Sequence, residues 1–108
     1  MRVHFKRSGG FAGMPLSVTV DVDTLAPADS QHLRDLIDAA SFFSLPARLT
    51  APVPGGDRFH YTLAIETAER QHAVEIHEAA TPPAVRPLLE WLTSAARARR
   101  GAGPRTGS

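Results

Sequence analysis

Five histidines, a scatter of carboxylates and one serine beside glycines are the residues of this chain whose types could do chemistry. Histidines suit a metal ion when spacing brings two of them to one face. His72 and His77 lie five apart in an alternating run, so a strand points them to opposite faces and they cannot chelate together. His77 and Glu78 are neighbours, but the His-Glu-x-x-His spacing of a zinc-binding helix does not follow. His4, His60 and His77 share an outward position in their runs, and only the strand register decides whether they meet. Surface histidines without a metal are the plainer expectation. Nucleophilic catalysis finds no thiol, and Ser8 lies outside a Gly-x-Ser-x-Gly elbow. Asp57 and Glu75 form an acid–base pair only if the fold happens to join them. No metal, cofactor or catalytic group is expected, and so no small-molecule substrate.

What remains is a binding chemistry. Ser8-Gly9-Gly10-Phe11-Ala12-Gly13 sets one large aromatic among small residues. The segment lacks the Gly-x-x-x-x-Gly-Lys-Ser/Thr order of a phosphate loop, and a strand rather than a helix N-terminus follows it. Glycines let such a segment bend and lie close against another surface. A ring at a loop tip either folds back onto its own core or enters a partner's pocket, and the pattern leaves both open. In the second case Phe11 is an anchor: burying one Phe side chain is worth ~1.5–3 kcal/mol, and interface energy concentrates in a few such residues.

The flanking elements read clearly. Residues 2–7 alternate Val3 and Phe5 with Arg2, His4 and Lys6, and residues 16–22 alternate Leu16, Val18, Val20 and Val22 with Ser17, Thr19 and Asp21. The two runs form a hairpin across the glycine-rich segment. Pro27 suits a first helical turn, Asp29 complements its positive end, and Leu33, Leu36, Ile37 and Ala40 make one apolar stripe. Ser41–Pro46 then reads as an apolar turn closing the core edge. Residues 47–57, rich in proline and glycine and without periodicity, read as a long loop that delivers Asp57 and Arg58 to the next strand. Phe59, Tyr61, Leu63 and Ile65 mark that strand; after a turn near Thr67-Ala68-Glu69, Val74 and Ile76 mark the fourth. A final helix starts around Thr81-Pro82-Pro83, with Thr81 as its N-cap and Val85, Leu88, Leu89, Leu92 and Ala96 inward. The order ββαββα predicts an α+β fold, a four-stranded, mostly antiparallel sheet backed by two helices. Its other face, with His4, Lys6, Thr19, His60, Glu75 and His77, should be wet.

Composition bounds the partners. The 108 residues suit one domain, expected over 1–96, with an arginine-rich flexible tail over 97–108. A net charge of +1 argues against a protein that tracks a nucleic-acid backbone. No apolar run reaches the ~18–20 residues of a membrane span. The N-terminal run alternates charged with apolar residues and lacks a secretory core, so a cytoplasmic protein is expected, with a non-classical export route as the alternative.

Residues 2–13, Arg-Val-His-Phe-Lys-Arg-Ser-Gly-Gly-Phe-Ala-Gly, resemble the opening of emfourin-type proteins. The run Pro54–Tyr61 and the ending Pro83–Leu92 are similar to the same family, and the likeness spans about residues 2–96. The first motif is the more specific. The resemblance implies a proteinaceous inhibitor of thermolysin-like zinc metalloproteases, with a protealysin-like enzyme as partner and zinc as that partner's ion. It also implies a contact region at Ser8, Gly9, Gly10, Phe11, Ala12 and Gly13. Asp57 and Arg58 match the second motif, where a contact role competes with a structural one as an ion pair or cap at the strand start. A non-inhibitory interaction module, using an exposed sheet face or edge, is the competing expectation.

Overall fold

The computed structural model describes residues 1–9, 15–50 and 59–102, with backbone alone for 99–102. Strands β1 (Arg2–Gly9) and β2 (Leu16–Asp21) form the expected hairpin, in register from Arg2 opposite Asp21 to Arg7 opposite Leu16. Their alternation does what period two requires: Val3, Phe5, Leu16, Val18 and Val20 are buried, whereas Lys6, Ser17 and Thr19 are exposed. Val22 ends the ladder in a single 3-10 turn and remains fully buried. Helix α1 (Pro27–Ala39) begins on its proline and buries Leu33 and Ile37, with Leu36 at the margin. Asp23 accepts from both the N-terminal amine at 3.2 Å and Arg34 at 2.8 Å, joining β1 to α1 at an exposed site. Ser41–Pro46 seals the core as expected, through Phe42, which is 1% exposed.

Among the described residues the sheet has five strands rather than four; it is mostly antiparallel as expected, but one parallel pairing makes it mixed. Arg48–Leu49, β3, lies parallel to the last strand, opposite Glu75 and Ile76, and the Glu75 N–H donates to the Ala47 carbonyl at 2.8 Å. Two residues among prolines carry no alternation of their own, so this strand exists only because the last strand offers it an edge. Strands β4 (Phe59–Glu66) and β5 (Gln71–His77) are antiparallel neighbours, giving the order β2-β1-β4-β5-β3. Leu63, Ile65, Val74 and Ile76 are fully buried. His72 points the same way, edge-on to Phe42, with Nε2 2.7 Å from the Leu45 carbonyl oxygen.

Helix α2 (Arg86–Ala102) starts later than its sequence signals indicate. Residues 82–85 form turns instead, in which the Val85 N–H donates to Pro82 and the Arg86 N–H to Pro83. Two adjacent prolines bias the chain away from the helical region before each of them. Pro87 then falls in the first turn, where its missing N–H costs nothing. Thr81 is therefore not the helix cap; its hydroxyl donates back to the His77 carbonyl at 3.3 Å, closing the 3-10 turn Glu78–Ala80. Val85, Leu88, Leu89, Leu92 and Ala96 all enter the core, and Trp91 packs at its edge. The helix continues past Ala96 into the arginine-bearing stretch as far as Ala102.

Candidate functional site

Of the residues singled out by sequence, Ser8 and Gly9 are described; Gly10, Phe11, Ala12, Gly13, Asp57 and Arg58 lie outside the described residues. The sheet nonetheless fixes where both segments join it. Ser8 stands opposite His60 and Gly9 opposite Phe59, while Arg7 is flanked by Leu16 and Tyr61. The chain thus leaves β1 for the glycine-rich segment beside the point where it enters β4 from residues 57 and 58. Gly9 takes φ 86, a left-handed angle that suits a residue without Cβ.

A built cluster supports this end of the sheet. The Phe59 N–H, at the first position of β4, donates to Glu78 Oε1 at 2.9 Å. The Arg7 guanidinium stacks over the Phe59 ring, 4.1 Å from its centroid. Tyr61 follows, 6.4 Å from Phe59 and 6.1 Å from Phe5 between ring centroids. Burial pushes the Tyr61 hydroxyl above the ordinary tyrosine value, with the nearby Glu78 carboxylate adding to the rise and Arg7 and Arg86 opposing it. Arg7, Tyr61, Glu78, Arg86 and Arg97 line a groove of about 280 Å³ between the sheet and α2. The sequence reading missed Arg7 and Glu78 as parts of this cluster. Nothing in local spacing links positions 7, 59 and 78, and only the register does.

The histidines do not converge. His60 and His77 are register partners, but His4 faces Ala64, four positions along β4 from His60. Each is otherwise engaged: His4 Nε2 lies 3.6 Å from Glu66, His60 Nε2 lies 3.3 Å from Glu75, and His77 Nδ1 accepts from the Ala79 N–H. Among the described residues no three His, Asp or Glu side chains are placed to hold a metal ion.

The family model for emfourin matches residues 5–93, an interval that runs from within β1 into the first half of α2 and takes in both site segments. This chain belongs to the emfourin family. Among solved structures it is similar to emfourin (M4in) from Serratia proteamaculans, described as an M4 family peptidase inhibitor, at 20% identity. That likeness has a TM-score of 0.47 and covers 86% of this chain and 87% of the other. No curated protein matches the sequence. Within the emfourin family match lie Ser8, Gly9 and the cluster of Arg7, Phe59, Tyr61 and Glu78 that supports them.

Proposed function

We propose that this chain inhibits a thermolysin-like zinc metalloprotease, with the 8–13 segment entering the enzyme's cleft and Asp57 and Arg58 contacting its rim. Membership of the emfourin family over residues 5–93 carries the reading. The geometry supports it in one respect: β1, β2 and β4 hold the two segments' ends side by side. A loop whose ends are fixed by packed strands loses less freedom on docking, and that surplus becomes affinity.

In this reading Phe11 fills the protease's apolar specificity pocket, and the glycines let the backbone follow the substrate track without steric conflict. The zinc is the enzyme's, held by its own ligands with one position open to water and substrate. The inhibitor needs no catalytic group; it occupies the cleft and blocks access to that position.

The test is a titration of the purified protein into a thermolysin-like protease acting on a fluorogenic peptide. Saturable inhibition that persists in excess zinc is expected, because the protein acts on the enzyme rather than by stripping its metal. Inactivity against several such proteases, including one encoded beside this chain, overturns the reading and leaves a non-inhibitory interaction module.

A further inference from the structure

The two edges of the sheet are managed differently. On one side β3 is only two residues long and carries Arg48, 3.7 Å from Glu75. Short, charged edges resist pairing with other chains. On the other side β2 presents six residues, Leu-Ser-Val-Thr-Val-Asp, with no lysine, arginine or proline within the strand. An edge of this kind is a template for another strand.

The ladder shows which groups it offers. The Val22 N–H donates to the Met1 carbonyl at 2.9 Å. Antiparallel bonding alternates along a strand, so Val20, Val18 and Leu16 direct their backbone groups to β1. Ser17 and Thr19 therefore direct their N–H and C=O groups away from β1, to the open side. Both residues are exposed, and among the described residues none bonds to these backbone groups.

We propose that a second copy of this chain occupies the edge, β2 against β2 antiparallel, with the two-fold axis at Val18. The strand is self-complementary in that register. The Ser17 N–H donates to the Thr19 carbonyl of the second copy, the Thr19 N–H of that copy donates to the Ser17 carbonyl, and symmetry repeats the set. Asp21, whose carbonyl already accepts from the Thr24 hydroxyl at 2.8 Å, falls opposite Pro15 of the second copy, which has no N–H to offer. On the wet face Ser17 meets Thr19, and on the helix face Leu16 meets Val20, so no like charges are opposed. The two sheets continue into one.

The proposal is independent of protease inhibition and is tested by sedimentation or light scattering of the full chain, up to on the order of 1 mM. The wild type should show a concentration-dependent dimer. Thr19→Pro deletes an N–H that serves only the edge, leaving the β1 ladder intact, and should weaken the dimer ~10–100-fold. Thr19→Lys, which keeps the backbone and adds a charge at the edge, should weaken it in the same direction and carries the test if the proline variant fails to fold by circular dichroism. A wild type that stays monomeric throughout overturns the proposal. So does a dimer that survives the folded variants, because it would then use another surface.

Discussion

At the scale of single residues, the inhibitory reading stands or falls on Phe11. If its ring fills an apolar pocket of the protease, Phe11→Ala forfeits ~1.5–3 kcal/mol of burial, a loss of ~10–100-fold in inhibition constant. Folding should be unaffected. A variant that unfolds early and inhibits normally would instead put the ring in the protein's own core. The Ser8–Gly13 segment was legible in sequence because its signal is local, one aromatic among small residues between alternating runs. The cluster at the end of β1 was not legible, because Arg7, Phe59 and Glu78 meet only through the strand register. Tyr61 gives a second test of that end. It is the single tyrosine, so phenolate absorbance reports it alone. Its hydroxyl should titrate above 10.0, since burial, chiefly, disfavours the phenolate. The folded state then holds this proton more tightly than the unfolded chain. The resulting stability is fully present below the unfolded value and is lost as pH rises through the folded one. Tyr61→Phe should flatten part of the alkaline decline in melting temperature. A phenol that titrates at or below the ordinary value would refute the burial argument.

At the scale of elements, period-two and period-3.6 patterns found β1, β2, β4, β5 and both helices, because each buries one face and that burial is written in its alternation. β3 escaped, since two residues cannot display a period and their pairing depends on β5 being there first. The start of α2 also moved, from Thr81–Pro83 to Arg86, because the proline pair that signals a helix start also delays one. The end of β1 offers a quantitative check. Gly9 sits at φ 86, where a Cβ clashes with the backbone at a cost of ~1–2 kcal/mol. Gly9→Ala should lower the unfolding free energy by ~1 kcal/mol. The urea midpoint should fall while the slope is unchanged, because the same surface is exposed on unfolding. An unchanged midpoint would show that the strand end relaxes to another angle without penalty.

At the scale of the whole molecule, one core holds the sheet and both helices, and among the described residues its last buried member is Ala96. Beyond it α2 runs on to Ala102 without adding a buried contact at Arg97 or Ala98. Truncation after Ala98 removes Arg99, Arg100 and Arg105 and takes the formal net charge from +1 to −2. Stability should change by no more than ~0.5 kcal/mol, as for surface changes away from the core. The same truncation separates two uses of the chain. If inhibition resides in the 8–13 segment and its support, the shortened protein should keep its inhibition constant and respond only weakly to salt. If instead the arginine-bearing end were the working part, as in a nucleic-acid-associated protein, binding would fall steeply with added salt and vanish on truncation. Retained inhibition at both low and high ionic strength would place the activity on the sheet end; its loss with the tail would move it to the helix terminus and overturn the assignment of the glycine-rich segment.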